Sequence, residues 1–491
     1  MIPQELLDAL LQMNEEQGKR LLQSSLPGMS EVALGRLVKL LKKETDRSWN
    51  YEPDLSLKLS GYLICIGDES QNASIHATGL LARGDALRRL DYDQESLPYF
   101  DAAGEEFLAH GDETGWARTR IGRVSACTRL NRTTEALRDA GAARDIFWRH
   151  DKFLRAGQMD TNAAIIHYEL GHYEQALHLF DRAIETYALQ VDGSDLSIAR
   201  ARANKALTLA ALGRFREAVT LHEQARATFV MYGDREEVAV AREELNIADI
   251  YAAQGYYSQA VFLYNQSRNL FIKHDMKVAA AEVALQVCFC LGRLNRTHEA
   301  IELARDVELF FRSHEGQKHN LARALMQQAA IVAMEGENQP ANALLQEASS
   351  LLEADGFVLL AALARLRRAE LRFKDLQNDQ NSQLETSFYE AQYVADVFAD
   401  QEDLPHLAQA TFLQASIAAA TERYAMAHEL CSHALDIAQG QNLLELQYLC
   451  YDVLGQLAEH DQDMSTAASY YDRAIRGIDE VQSRLVLDAR I

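Results

Sequence analysis

Small and bulky apolar residues recur along this chain at i, i+4 and i+7, and the triplet itself returns every 42 residues through its middle third. The first copy reads Asn162 … Leu170-Gly171-His172-Tyr173 … Ala176 … Phe180 … Ala183. The second reads Asn204 … Leu212-Gly213-Arg214-Phe215 … Ala218 … His222 … Ala225, and the third Asn246 … Gln254-Gly255-Tyr256-Tyr257 … Ala260 … Tyr264 … Ser267. Residues at i, i+4 and i+7 share one helix face, so each triplet predicts the buried stripe of a helix. The glycine five positions before it predicts a left-handed residue where one helix ends and the next begins. Self-similarity at a fixed period predicts stacked helical hairpins, each too small to hold a core alone.

Weaker copies extend the register both ways. Upstream stand Ser96, Phe100 and Ala103, with Asp91 near the turn, then Ala136, Ala140 and Ala143, with Asn131 in the glycine slot. Asparagine tolerates the left-handed region better than most side chains. Downstream follow Asn295 with Ala300, Ala304 and Val307, then Gly336 with Ala341, Leu345 and Ala348, then Leu384, Phe388 and Ala391. Ala427, Cys431 and Ala434 come next, and Ala467, Tyr471 and Ala474 close a set of ten units with steps of 40 to 43 residues. Pro98 and Pro340 are expected at starts of second helices and Pro405 near the start of a first helix, where a missing N–H costs nothing. The run Gln377 to Gln383 is expected to be a loose loop. Before the repeats, Ser30 caps a predicted helix through Leu34, Leu37, Leu40 and Leu41, and a second helix runs from Asp54 to Ile66. The expected architecture is all-α: residues 1–75 an N-terminal helical cap, 76–475 the repeat array, and 476–491 a C-terminal helix.

On the first helix of each unit runs a second, polar periodicity. Asn162, Asn204, Asn246, Gln286 and Gln327 stand in one register; four residues earlier stand Arg200, Arg242 and Arg323, with Arg118 in the equivalent slot of an earlier unit. Pairs at i and i+4 share a face, so these form a ladder of guanidinium and amide groups. Amides bond both ways to an extended peptide backbone, and guanidinium forks suit carboxylates. A purely structural role, with amides and arginines engaged by neighbouring helices, fits the same spacing. Arg365, Arg368 and Arg372 share a helix face and are a second candidate, for an acidic segment or for a solvated surface.

Composition narrows the function classes. A formal charge of −23 disfavours tracking of nucleic acid or anionic lipid. No stretch approaches the ~20 apolar residues of a membrane span, and Met1 to Leu11 lacks the basic start of a secretory signal, so a cytoplasmic protein is expected. The six cysteines show no CxxC spacing and are expected as buried thiols. His314, Glu315 and His319 have a spacing one residue too long for a zinc helix motif. No phosphate loop or nucleophile elbow is present, so neither metal, cofactor nor enzymatic activity is expected. Tyr168, Tyr173, Tyr256, Tyr257, Tyr264, Tyr470 and Tyr471 repeat with the motif and are expected in the core.

The glycine, aromatic, alanine, aromatic, alanine order around Gly171, Gly213 and Gly255 resembles the second half of the tetratricopeptide repeat (TPR). The steps exceed the 34 residues of the usual TPR, so each helix is expected to be about a turn longer. The resemblance implies an α-solenoid, a right-handed superhelix of about ten hairpins whose first helices line a concave groove, and so places the polar ladder in that groove. Residues 76 to 491 are most similar to the arrays of bacterial TPR-CHAT proteins, which precede a caspase-like protease domain. The ending Ala474-Ile475 … Ile478-Asp479 … Arg484 … Asp488-Ala489-Arg490 resembles the helix that joins array to protease. MalT-like regulators and Rap-type peptide receptors carry similar arrays. These resemblances imply a non-catalytic scaffold with a protein or peptide partner, self-association being compatible. They also leave open the sensor half of a protease whose catalytic domain lies elsewhere, or a peptide-sensing receptor.

Overall fold

The computed structural model describes residues 2–49, 52–190, 192–314, 316–376 and 381–490, side chains at 376, 381–383 and 480–490 excepted. Among the described residues the regular structure is helical throughout, with no strand. Two compact units divide the chain between Glu236 and Glu237.

The first unit opens with α1 (Pro3–Gln12), α2 (Glu15–Ser25), α3 (Glu31–Ser48) and α4 (Pro53–Ser70). Ser30 caps α3 by accepting from the Ala33 N–H, as its position predicts. Leu6, Leu10, Leu22, Leu37, Leu59 and Tyr62 close a core among these helices. Four hairpins follow: α5 (Ala73–Arg89) with α6 (Asp93–Ala109), α7 (Glu113–Arg129) with α8 (Thr133–Arg149), α9 (Phe153–Glu169) with α10 (Tyr173–Ala188), and α11 (Asp195–Ala211) with α12 (Phe215–Met231).

The second unit holds six more. These are α13 (Glu237–Ala253) with α14 (Tyr257–Lys273), α15 (Lys277–Arg293) with α16 (Thr297–Arg312), and α17 (Lys318–Met334) with α18 (Asn338–Ala354). Then come α19 (Val358–Leu376) with α20 (Asn381–Asp400), α21 (Leu404–Ala420) with α22 (Tyr424–Gly440), and α23 (Leu444–His460) with α24 (Met464–Arg490). Of the loop expected from Gln377 to Gln383, residues 377–380 lie outside the described residues and 381–383 open α20.

Most helices span 17 residues, and that length, with short turns, produces the long repeat step. The turns are left-handed where the repeat demands it: φ is 73° at Gly171 and Gly213, 81° at Gly255 and 56° at Asn131. In each glycine turn the next N–H reaches back to close the helix, as His172 N–H does to the His167 carbonyl at 2.8 Å. The three interior slots of every second helix are buried, apart from Tyr471 in the last hairpin, which is half-buried and closes over Gly455. Phe100 lies between Gly84 and Gly122 on the first helices either side of it. A Cβ at Gly122 would meet its ring at 2.4 Å, so glycine there admits the aromatic ring.

Two expectations need correction. Pro98 is not at a helix start: it is the sixth residue of α6, beyond the first turn, and removes one intrahelical hydrogen bond to Gln94. Pro340 and Pro405 do lie in first turns. Of the seven repeating tyrosines only Tyr264 is fully in the core. The others are half-buried, and some clasp the hairpin turns, as Tyr168 does on Tyr173 with ring centroids 5.7 Å apart. All six cysteines are buried free thiols.

Candidate functional site on the first helices

Within each unit, most successive first helices touch one another, as α5 does α7, α7 does α9, and α19 does α21. The surface they share is therefore the closely spaced side of the stack. On it the sequence register becomes positional. Arg118, Arg200, Arg242 and Arg323 are each the sixth residue of their helix. Asn162, Asn204, Asn246, Gln286 and Gln327 are each the tenth. A sixth and a tenth residue lie about one turn apart on one face.

Three cavities lie on these two positions, while a fourth, of about 660 Å³, opens elsewhere, between Asn338, Asn342, Arg372 and Thr386. In the first unit a chamber of about 480 Å³ brings Arg118 and Gly122 of α7 together with Gln158 and Asn162 of α9, the sixth and tenth residues in both cases. In the second unit, Arg323 and Gln327 open a cavity of about 360 Å³ that Leu363 and Arg367 continue on α19. A neighbouring cavity of about 470 Å³ shares Arg367, Glu370 and Lys374 and runs on past Gln409 and Leu413 of α21 to Leu449 of α23. Together they form a groove across four first helices. Met326, Leu360, Leu371, Phe373 and Phe412 supply its apolar wall, and the Gln409 Oε1 atom is buried there without a hydrogen-bond partner.

A structural role for the ladder would require partners within the chain. Arg200 has one: its Nη2 donates to Glu236 Oε1 at 3.0 Å. Among the described residues, Arg118, Asn162, Asn204, Arg242, Asn246, Gln286, Arg323 and Gln327 make no side-chain hydrogen bond or ion pair with the protein. Elsewhere several arginines are buried in ion pairs. Arg123 and Arg120, for example, are buried against Asp101 and Asp139, with Arg123 Nε 2.8 Å from Asp101.

The second basic candidate comes out differently. Arg368 and Arg372 both meet Glu390 of α20, Arg372 at 3.0 Å, while Arg365 binds Glu353 at 2.7 Å and lies over the Tyr393 ring. The acidic group they recognise belongs to this chain, because their shared face turns toward α20 rather than outward. The basic residues of α19 that reach the groove are Arg367 and Lys374. In the His314, Glu315, His319 run, Glu315 lies outside the described residues. His314 rests on Phe310 and His319 stacks on Phe357.

Sequence reasoning missed the groove residues whose slots are apolar, Leu363, Leu413 and Leu449, because a polar periodicity cannot mark them. It also missed Arg155, whose Nη1 donates to Gln158 at 3.0 Å and which lines the chamber from one turn earlier. Counting sixth residues would have found Gln158 and, through it, Arg155.

Residues 155–229 match the family model described as tetratricopeptide repeat. No curated protein sequence matches the chain. Among solved structures, the apo form of the quorum sensor NprR from B. thuringiensis is similar with a TM-score of 0.50 at 13% identity, over 82% of this chain and 98% of that one. A Rap protein complexed with competence and sporulation factor is similar at a TM-score of 0.48 and 11% identity, over 76% and 99%. BtubC (BKLC) from P. vanneervenii is similar at 0.41 and 16%, over 46% and 91%. Among the described residues the chain forms an array of ten helical hairpins on a longer step than the 34-residue repeat, and residues 155–229 carry the tetratricopeptide match.

Proposed function

We propose that the first-helix face of the second unit captures an extended protein or peptide segment, and that the chain acts as a non-catalytic interaction scaffold. The observation that carries this is the unpartnered state of Arg323 and Gln327 beside an apolar wall that includes Leu363, Leu371 and Phe412. Such a lining suits a polypeptide: alternate side chains fill apolar hollows while amides and guanidinium groups take backbone carbonyls and carboxylates. Arg242, Asn246 and Gln286 occupy the same two positions on α13 and α15 and extend the binding surface. The setting we propose is a cytoplasmic bacterial signalling or defence assembly, with residues 1–75 as an end cap and 476–491 as the junction to a further partner or effector. A random peptide library displayed on phage tests the reading. Selected peptides are expected to lose at least about tenfold in affinity on Arg323→Ala or Phe412→Asp and to tolerate Leu309→Asp, an exposed second-helix change. Peptides indifferent to both groove variants would refute it.

A further inference from the structure

The chamber of the first unit has a chemistry unlike that of the groove. Lys42, Arg88, Arg89, Arg118 and Arg155 reach it from α3, α5, α7 and α9, and among the described residues only Asp46 and Asp85 stand against them. Three positive charges are left unbalanced inside a chain of formal charge −23. Asp46 is taken up by Lys42, and the Asp85 carboxylate makes no hydrogen bond or ion pair among the described residues, although its backbone carbonyl accepts from the Trp49 indole N–H. Arg88 is the sharpest anomaly. It is 8% exposed, its Nε is buried without a partner, and its guanidinium sits beside the Trp49 ring without an ion pair. Arg89 stacks on the same ring at 4.1 Å. Asp85 attracts the Arg88 guanidinium from nearby without bonding to it, and a desolvated guanidinium without a hydrogen-bonded anion is costly, a cost that an anion from outside would offset.

We infer that this chamber binds a compact small-molecule polyanion carrying about three negative charges, held by Arg88, Arg89, Arg118 and Arg155 with Asn162 as an amide donor. Guanidinium forks match phosphate and carboxylate oxygens alike, so a diphosphate and a tricarboxylate share the required chemistry. The volume of about 480 Å³ suits either, and four helices plus Ser56 of α4 wall it in. A polypeptide is the less suitable occupant, because the lining gives it few apolar hollows and far more charge than one side chain can meet. This site stands apart from the groove of the second unit and does not depend on it.

The test is calorimetric titration of the whole chain with inorganic pyrophosphate and, separately, with citrate, at low ionic strength. Binding of either supports the inference and identifies the source chemistry, provided that Arg118→Ala and Arg155→Ala each weaken it by at least about tenfold. Both side chains are exposed and outside the core, so the variants are expected to melt with the wild type. Asp85→Asn, which removes an opposing charge, is expected to tighten binding severalfold. Failure of both anions to bind, or binding indifferent to the two arginine variants, would overturn it, as would capture of an acidic peptide by a chamber that ignores both small anions.

Discussion

Arg200 Nη2 lies 3.0 Å from Glu236 Oε1, and among the described residues this ion pair sets Arg200 apart from Arg118, Arg242 and Arg323. The pair closes the turn after α12 onto α11 and is open to solvent, with the arginine 59% exposed. Exposed pairs contribute little, so Arg200→Ala is expected to change stability by no more than about 1 kcal/mol, measured by urea denaturation. Glu236→Gln releases the guanidinium and should leave stability within the same range.

The buried arginines predict the opposite behaviour. Arg123 and Asp139 are both nearly inaccessible, and Asp101 shares the arginine at 2.8 Å. Asp139→Ala leaves Arg120 and Arg123 short of a counter-charge and is expected to cost about 3–5 kcal/mol. Replacing Arg123 and Asp139 together by Met and Leu should recover most of that loss. Comparison of the two denaturation midpoints checks the relation.

Asp85 makes a pH prediction. Burial in the chamber wall pushes its carboxyl up from 3.8 to about 6, against the opposing pull of Arg88 and Lys42, with Asp46 adding to the rise and Arg89 opposing it. The folded state thus holds the proton more tightly than the unfolded chain, and stability falls as pH rises from about 4 through 6. Asp85→Asn is therefore expected to raise the unfolding free energy at pH 7.5, and with it the melting temperature, by on the order of 1–2 kcal/mol of stability, because Asp85 is only half-buried. At pH 4 the gain should disappear. A gain that persists there would show that charge is not its cause.

The turns carry a further pair of expectations. Gly171 has φ of 73°, and Gly171→Ala forces a Cβ into the left-handed region at a cost of about 1–2 kcal/mol. Glu422 occupies the same turn position with φ of 59°, so Glu422→Gly relieves that strain and is expected to be neutral or stabilising by up to about 1 kcal/mol. Thermal melts of the two variants should move in opposite directions or, at most, only the first should move.

Much of this fold is written openly because hairpins of nearly equal length repeat the same steric demands. Gly171, Gly213 and Gly255 mark turns whose φ excludes most side chains, and Ala176, Phe180 and Ala183 mark a face with no room for variation. The turns at Glu422 and Gln462 are hidden, since a left-handed glutamate leaves no compositional trace. Pro98 misleads because a proline beyond the first turn can be tolerated when tertiary packing holds the helix. The site was half legible. A periodic arginine or amide announces itself, whereas the convergence of Arg88, Arg89 and Arg155 on one chamber depends on which helices meet. The arginines of α19 show the limit of face arguments: the face shared by Arg365, Arg368 and Arg372 is real, yet Glu353 and Glu390 occupy it.

On the proposed function, the first helices of the second unit hold a polypeptide through their sixth and tenth residues. Site-directed photo-crosslinking with a selected peptide tests it most directly, placing the photoreactive residue in turn at Arg323, Gln327, Leu363, Arg367 and Leu413, and at Leu309 and Tyr389 on second helices. Both second-helix positions are exposed and accessible to any surface ligand. The expected result is adducts at the first-helix positions alone, in an order along the peptide that follows α17, α19 and α21. Adducts at Leu309 or Tyr389 with none in the groove would contradict it.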